Sequence, residues 1–209
     1  MRSRSPRIEL QPRKLPVQRR SRATFDAIVE SCTWLLPRRG YTGTTTNHIA
    51  ERAGVNISSL YEYFPGKDAI IAQVAERLLS RVLDRLAKGG SVLLEDTPED
   101  EVLRRWIELV YETVRAEKDL VGVFTHQVPY ANEIDAVRTT SSRLLDFSQR
   151  LRRRAGGLVR HDLSSAEMQL IVNLVSSTIL QLVLADPPEG ITERELLDEL
   201  SDRIDAWMR

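Results

Sequence analysis

Hydroxyl and amide side chains are concentrated in the segment "TTTNHIAERAGVNISSLYEYF", which runs from Thr44 to Phe64. It contains two short apolar patterns of helical period, separated by one glycine, Gly54. Thr44 is predicted to cap a first helix, and Asn56 a second. Because glycine tolerates a positive φ, Gly54 permits a sharp turn between them. Two short helices joined in this way predict a helix-turn-helix.

The start of the second predicted helix carries small side chains, which let a backbone approach base edges in a major groove about 12 Å wide. Free N–H groups and hydroxyls at both helix starts suit phosphate oxygens. A small helical pair packed in a core is the alternative, but it does not explain these exposed hydroxyls. The predicted DNA contacts are Arg20, Arg22, Thr44, Thr45, Thr46, Asn56, Ile57, Ser58, Ser59, Tyr61, Tyr63 and Lys67.

The net charge of zero conceals a strong asymmetry along the chain. Residues 1–67 hold 12 Lys or Arg and 5 Asp or Glu, whereas residues 68–209 hold 18 and 25. A basic head on an acidic body indicates a polyanionic partner for the head alone. Residues 1–20 contain three prolines and seven basic residues, which predicts a flexible basic arm that lies in or along a neighbouring minor groove. A tail that only keeps the chain soluble is the alternative.

Helical periodicity continues along the rest of the chain, and no convincing strand pattern interrupts it. The sequence therefore predicts an all-α fold of about nine helices, three in the head and six in the body. The predicted domains are a flexible basic arm at 1–20, a helix-turn-helix DNA-binding domain at 21–66, and a helical ligand-binding and dimerisation domain at 67–209.

Proline, glycine and capping residues predict where these helices begin and end. Pro37 and Gly40 are expected to end the first helix, and "GGS" at 89–91 to end the fourth near Lys88. "TPED" at 97–100 is expected to begin the next helix. A single helix is predicted from about Tyr130 to Arg154, ending at Gly156-Gly157. "SSAE" at 164–167 and "TERE" at 192–195 predict two further helix starts, the second with a capping box.

Four motifs in the head form a specific set: "RGY" at 39–41, "TTTNHIA" at 44–50, "AGV" at 53–55 and "SLYEYFPGKDAII" at 59–71. With this spacing, the segment from about Arg19 to Val74 resembles the N-terminal domain of the TetR (tetracycline repressor-like) family. The resemblance covers about a quarter of the chain. It implies an all-α homodimer, DNA binding by the first three helices, a ligand pocket in the helical body, and transcriptional regulation, usually repression relieved by a small molecule.

The resemblance also implies roles for individual residues. Thr45, Tyr61 and Lys67 match positions that commonly touch the phosphate backbone, and Ile57, Ser58 and Ser59 match base-facing positions. The sequence departs from the family pattern at Pro37, which replaces a usual helix former. It also departs at Ile57 and Ser58, where the family often has a longer polar residue and a glycine. These last differences bear on the operator sequence rather than on the binding mode.

The body contains a stretch without formal charge, Met168–Ala185, of about the minimum length that crosses a membrane. Six polar residues within it favour a buried or interface helix instead. The predicted dimer interface comprises Leu174, Ser177, Gln181, Leu200, Ile204 and Trp207. The candidate pocket residues, which would hold a largely apolar ligand, are Trp106, Tyr111, Phe124, His126, Tyr130, Phe147 and Asn173.

Catalytic and metal-binding constellations are missing from the sequence. There is no Gly-rich phosphate loop, and the histidines have no ligand-like spacing with Cys32. No enzyme activity, metal or cofactor is therefore expected. The single cysteine and the lack of an apolar signal region predict a cytoplasmic, nucleoid-associated protein.

The expected function is a homodimeric repressor that binds a palindromic operator in double-stranded DNA and is released by a small molecule. The alternative keeps the DNA-binding head but gives the protein a different role. It would act through a protein partner, or as an architectural factor, without a small-molecule ligand.

Overall fold

The computed structural model describes residues 8–98, 100–155 and 163–208, and over these ranges the fold is all-α. They contain ten α-helices rather than about nine, and a 3-10 helix at Ala131–Glu133 lies between the sixth and seventh. The α-helices are α1 (Arg19–Gly43), α2 (Thr46–Ala53), α3 (Ile57–Tyr63), α4 (Lys67–Asp96), α5 (Val102–Arg115), α6 (Lys118–His126), α7 (Asp135–Arg138), α8 (Thr140–Ala155), α9 (Ser165–Leu184) and α10 (Glu193–Met208).

Two compact units emerge from the contacts within the chain. The head unit comprises the residues up to Leu78 together with Asp119–Arg138, and the body unit comprises Leu79–Lys118 and the residues from Thr139 onward. The division falls within α4. The contacts thus group the first part of α4 and the segment 119–138 with the three N-terminal helices, which the predicted domain boundaries do not.

The core of the head forms where α1, α2 and α3 meet. α1 buries one apolar face because Phe25, Ile28, Val29 and Cys32 recur at helical spacing, and each is at most 5% exposed. The rings of Phe25 and Phe64 lie 4.7 Å apart between centroids. This packing fixes the positions of the two short helices, which are too short to be stable alone.

Of the two residues predicted to end the first helix, Pro37 lies inside α1, whereas the regular helix is interrupted at Gly40. The chain kinks at Gly40, whose φ of 67° and ψ of 176° are accessible essentially to glycine alone. The helical segment then continues to Gly43, and the Thr44 N–H donates to the Gly40 carbonyl at 3.2 Å.

The predicted break at 89–91 is wrong, because α4 continues through Gly89 to Asp96. Gly89 lies in a helix contact rather than in a turn. A Cβ atom at this position would lie 2.6 Å from Cδ2 of Leu109, so glycine lets α5 approach α4 closely. A glycine in a helix therefore marks a tight helix contact here, at a propensity cost of about 1 kcal/mol.

α5 begins later than its predicted start at Pro98. The Glu101 N–H donates to the Pro98 carbonyl at 3.0 Å, which forms a turn, and α5 starts at Val102 with Glu101 as its N-cap. Pro98 and Asp100 thus precede α5 instead of lying in its first turn.

The single helix predicted from Tyr130 to Arg154 is divided in the structure. The 3-10 helix ends at Ile134, which is extended, with φ of −70° and ψ of 124°, and only 1% exposed. Burial of this side chain anchors the chain outside a helical conformation, so α7 and α8 follow as separate helices. The predicted end at Gly156-Gly157, and His161, lie outside the described residues.

Two helix starts in the body agree with their predictions. The Glu167 N–H donates to the Ser164 hydroxyl at 3.2 Å, and the Ser164 N–H donates to the Glu167 carboxylate at 2.8 Å. Thr192 and Glu195 form the same reciprocal pair at 3.2 and 2.8 Å. Both are capping boxes, which satisfy N–H groups at the helix start.

The core of the body unit is built mainly from α5, α9 and α10. Ile107, Ile179 and Ile204 are at most 3% exposed within it. α9 is long and apolar enough to cross a membrane by length and composition alone, with a mean hydropathy of 1.5 and 33% of that window buried. A core or interface helix meets the same criteria, so this property is weak support for a membrane span.

Cys32 offers a probe of head stability. It is fully buried, and burial raises the pKa of its thiol to about 12. Because the thiolate is the reactive form, we expect no modification by iodoacetamide in the native protein at pH 8, and complete modification in denaturant. Mass spectrometry of the labelled protein provides the measurement. Fast labelling under native conditions would contradict a stably packed head.

Candidate nucleic-acid interface

The two short helices α2 and α3 are each fixed by local caps. The cap of α2 is Thr45 and not Thr44 as predicted, since the Thr45 hydroxyl accepts from the His48 N–H at 3.2 Å. Gly54 ends α2 with a φ of 65°, and the Asn56 side chain accepts from the Ser58 N–H at 3.1 Å at the start of α3. The predicted positive φ and second cap are thus confirmed. The structure contains the helix-turn-helix that the sequence predicts.

The outer face of α3 presents small and hydroxyl side chains. Ser58 is exposed and Ser59 partly so, while Leu60 is fully buried and anchors the helix. Tyr61 is 40% exposed, and its hydroxyl lies 3.1 Å from that of Thr46 at the start of α2. The two helices therefore bring two hydroxyls together where one phosphate oxygen can accept from both.

Three residues predicted to contact DNA have side chains that bind or pack against other residues of the head. Thr44 is fully buried, and its hydroxyl donates to the Gly40 carbonyl at 2.7 Å. The Tyr63 side chain is 7% exposed and packs edge-on against Phe25. The Lys67 ammonium donates to the carbonyls of Tyr41 at 2.8 Å and Thr44 at 3.3 Å. The Thr44 hydroxyl is thus unavailable to a phosphate. The Lys67 ammonium satisfies two carbonyls that follow the kink of α1.

The remaining predicted contacts stay near the surface. Thr45, Asn56, Arg20 and Arg22 are exposed, and the half-buried Ile57 begins α3. The two arginines lie in the first turn of α1. Their guanidinium groups give this end of the head the positive charge that DNA requires.

The segment before α1 contacts the end of α3. The Arg13 N–H donates to the Tyr63 carbonyl at 2.7 Å, and the Arg13 guanidinium donates to the Tyr61 carbonyl at 3.1 Å. Lys14 pairs with Glu62 at 3.0 Å. The Arg13 guanidinium thus meets a carbonyl near the C-terminal end of α3, where the helix dipole favours positive charge. The flexibility of the arm stays a prediction, and these contacts add a positioning role for its second half.

A basic and aromatic cluster on the head did not enter the predicted site. The guanidinium groups of Arg38 and Arg52 lie 4.1 and 3.6 Å from the ring centroid of Trp34, which is 41% exposed. Arg39 donates to Nε2 of His48 at 3.0 Å. Nδ1 of this neutral histidine therefore carries the proton that bonds to the Gly43 carbonyl. The sequence signal that points to this surface is the basic pair Arg38 and Arg39, whose second residue begins the "RGY" motif.

Three candidate pocket residues, Phe124, His126 and Tyr130, belong to the head unit. The Tyr130 hydroxyl donates to Asp68 at 2.5 Å, and the Tyr41 hydroxyl donates to the same oxygen at 3.1 Å. Burial, and then the neighbouring carboxylate, raises the pKa of Tyr130. This phenol is held neutral as a donor, and it ties the segment after α6 to the start of α4.

The other candidate pocket residues lie in the body unit. Trp106 stacks on Phe147 with centroids 5.8 Å apart and an angle of 20° between the rings. The Tyr111 hydroxyl donates to Glu193, and burial together with this bond raises its pKa to about 12. Asn173 is exposed and accepts from Ser141 at 2.9 Å. Among the described residues of this unit, Trp106 and Phe147 are the two candidates whose rings contact each other, and their role in a pocket stays a prediction.

The candidate dimer residues fall into two groups. Leu174, Ser177 and Gln181 are exposed on α9. Ile204 is 3% exposed, and Leu200 and Trp207 pack against the same core, so these three side chains face their own chain. Of the predicted interface residues, the three on α9 are therefore the ones accessible to a partner.

The described residues contain no group of three or more His, Cys, Asp or Glu side chains that could hold a metal ion. The surface assembled on the head consists instead of hydroxyls, helix N-termini and arginines. These groups bind phosphate oxygens and base edges without any covalent chemistry.

Comparison with known proteins gives the head a family. The model of the bacterial regulatory proteins of the tetR family matches residues 28–74. The HTH-type transcriptional repressor DhaR of a Mycobacterium species is 29% identical over 121 residues, which are 57% of this chain and 58% of that protein. The HTH-type transcriptional regulator YuxN of Bacillus subtilis is 25% identical over 52% of this chain and 37% of its own length. The chain thus spans less than two thirds of the length of these curated relatives.

The fold has a close counterpart among solved structures. A crystal structure of a TetR-family transcriptional regulator from Mesorhizobium loti superposes with a TM-score of 0.67. The match covers 91% of this chain and 97% of that chain at 16% identity, a likeness that concerns the fold. The helix-turn-helix geometry and the match over residues 28–74 thus assign the DNA-binding head to the TetR family of bacterial regulatory proteins, and the solved structures show that the whole chain shares the fold of TetR-family regulators.

Proposed function

We propose that this TetR-family regulator is a cytoplasmic homodimeric repressor, which binds a palindromic operator and is released by a small, largely apolar ligand. The observation that carries the DNA-binding part is the outward set of hydroxyls on α2 and α3, beside the exposed arginines of α1. The name of the relative DhaR, a transcriptional repressor, supports the sign of regulation.

In this proposal, α3 enters the major groove with its N-terminal turn towards the bases. Ser58 is exposed and small, so its hydroxyl can reach a base edge. The Tyr61 and Thr46 hydroxyls bind one phosphate, which fixes the register of the helix without reading sequence. Arg20 and Arg22 add charge along the backbone.

The homodimer is proposed from the exposed face of α9. Leu170 and Leu174 are 48% and 43% exposed, and Ser177 and Gln181 continue the same line at spacings of three and four. Such a stripe suits packing against a second copy of the helix. Two-fold symmetry then places two α3 helices about 34–36 Å apart, on the two halves of a palindrome.

Release by a ligand is proposed to act through α4. This helix begins beside the DNA-binding helices, and its later turns belong to the body unit. A ligand that prefers a different position of α4 would change the separation of the two heads. It shifts operator affinity only to the extent that it binds the two states differently.

Selection of bound genomic fragments with the purified full chain, at physiological salt, tests the proposal. We expect recovery of a small number of palindromes, and weaker binding to them in the presence of the effector. Recovery of many scattered sites without a shared sequence would favour the architectural role, or action through a protein partner.

Substitutions on α3 separate base reading from phosphate binding. We expect Ser58→Ala to change the preferred operator sequence, by about 1–3 kcal/mol at one base pair. Tyr61→Ala should weaken binding to all sequences to a similar extent, because it removes a phosphate contact. Binding to a randomised operator library measures both effects.

Ser80→Ala, an exposed serine on α4 outside this surface, is the matched control. Identical sequence profiles for Ser58→Ala and Ser80→Ala would contradict the base-facing role of Ser58.

A further inference from the structure

A groove of about 380 Å³ lies between α4 and α5 in the body unit. Cavities of about 300–1,000 Å³ commonly hold small molecules. Its lining combines apolar surface, including Val82, with the basic residues Arg81, Arg85 and Lys88. None of these residues belongs to the predicted apolar pocket, so the groove requires a separate explanation.

The groove lies between two contacts that join α4 to α5 and to the residue Glu117 beyond it. At one end, Gly89 allows Leu109 to approach so closely that a Cβ atom would clash at 2.6 Å. Eight positions earlier on α4, the Arg81 guanidinium binds Glu117, which follows the end of α5 at Arg115, through two hydrogen bonds of 3.0 and 2.9 Å. Thr113 lies on α5, four positions from both Leu109 and Glu117, and it lines the groove between these two contacts.

Thr113 carries a buried hydroxyl that lacks a partner. The residue is 1% exposed, it lines the groove, and its Oγ1 has no hydrogen bond to any described residue. Helical threonines elsewhere in the chain donate to the carbonyl four residues earlier, as Thr33 does to Val29 and Thr125 to Val121. An unsatisfied buried hydroxyl costs about 1–3 kcal/mol, and a ligand oxygen that reached Oγ1 from the groove would remove this cost.

The charges around the groove favour an anion with a single charge. Glu117 neutralises Arg81, whereas Arg85 and Lys88 form no ion pair with any residue in the described part of the chain. Asp84 also lines the groove and would repel a polyanion. A carboxylate can accept from a guanidinium and a hydroxyl together, and its apolar body can pack against Val82 and the aliphatic stems of the basic residues.

We propose that this groove binds a small organic monoanion, namely one carboxylate joined to a compact apolar body. The carboxylate accepts from Thr113 and Arg85, and Lys88 adds charge at the rim. This binding does not depend on the proposed repressor function, because it requires neither DNA nor a dimer.

Calorimetric titration of the full chain with hexanoate tests the site. 1-Hexanol, which has the same apolar body without the charge, and inorganic phosphate, which has charge without the apolar body, are the comparison ligands. We expect saturable binding of one hexanoate per chain with a Kd below about 1 mM, and at least tenfold weaker binding of both comparison ligands.

Two substitutions should weaken hexanoate binding at least about tenfold: Arg85→Gln and Thr113→Val. Arg105→Gln is the matched control. Arg105 lies near the start of α5, where it pairs with Glu101, and it does not line the groove. Thr113→Val preserves the shape of the side chain. A merely structural hydroxyl would change the melting temperature and leave hexanoate affinity unchanged.

Several results would overturn the proposal. These are no saturation up to about 10 mM hexanoate, equal affinity for 1-hexanol or phosphate, or equal affinity in Thr113→Val and Arg105→Gln. Since DNA is absent from the assay, such a failure leaves the proposed operator binding untouched. Conversely, a failed operator selection leaves the hexanoate result intact.

Discussion

A variant with both Leu170→Glu and Leu174→Glu is expected to sediment as a monomer and to bind the operator at least about 100-fold more weakly than the wild type. The loss is large because a dimer binds two half-sites at once. Joining two binding events in this way raises the overall affinity by about 10²–10⁴ over a single head. Analytical ultracentrifugation and operator titration at fixed salt measure the two parts of this prediction.

The physical reason lies in the exposed face of α9. The two leucines are nearly half exposed, and they lie one turn apart in the uncharged part of α9, in the body unit. In a symmetric interface, each substitution would place a carboxylate near its own symmetry copy. Burial of such unpaired charges costs several kcal/mol per ion.

Val92→Glu provides the matched control. Val92 is 57% exposed on α4 in the same unit, but it lies outside the α9 face, so this variant should remain dimeric. A double variant that still sediments as a dimer would remove α9 from the interface. A monomer that binds the operator as tightly as the wild type would remove the requirement for dimerisation.

Features that depend on neighbours in sequence could be predicted before the structure. The cap at Asn56, the turn at Gly54 and the capping box at Thr192 each involve residues within three positions of one another. Such contacts form wherever the local pattern occurs, because the side chain needs only the adjacent backbone. The helix-turn-helix was predictable for this reason.

Features that depend on distant partners could not be predicted in the same way. Gly89 appeared to be a helix end, but it is a contact point for Leu109, 20 positions later. Lys67 appeared to be a phosphate contact, but its ammonium binds the carbonyls of Tyr41 and Thr44. Residue type and spacing alone do not reveal which partner a lysine will find, since its long side chain can reach several.

The head unit contains the clearest example of such a distant contact. Asp68 accepts from Tyr130, 62 positions away, and no sequence pattern relates the two. Tyr130 was predicted for the pocket because its hydroxyl, near Pro129, could offer a polar contact to a ligand. In the structure its hydroxyl instead ties the segment after α6 to the start of α4.

Gly40→Ala is expected to lower the free energy of unfolding of the head by about 2–4 kcal/mol. About 1–3 kcal/mol of this comes from the backbone, because alanine is strained at a φ of 67° and a ψ of 176°. The remainder comes from Gln127, whose Oε1 would lie 2.6 Å from the new Cβ. This oxygen accepts from the Tyr41 N–H at 3.1 Å, and its displacement would cost about 1 kcal/mol. Denaturant titration with iodoacetamide labelling of Cys32 measures the loss in the head.

Gly66→Ala is the matched control, because no atom lies within 4 Å of a Cβ at that position and its φ is not positive. Combining Gly40→Ala with Gln127→Ala separates the two causes, since the second substitution removes the clash but leaves the backbone strain. The double variant should therefore lose less than the sum of the two single losses. Equal stability of Gly40→Ala and Gly66→Ala would show that the chain reaches α2 without the kink. The motif at 39–41 would then have no structural requirement for glycine.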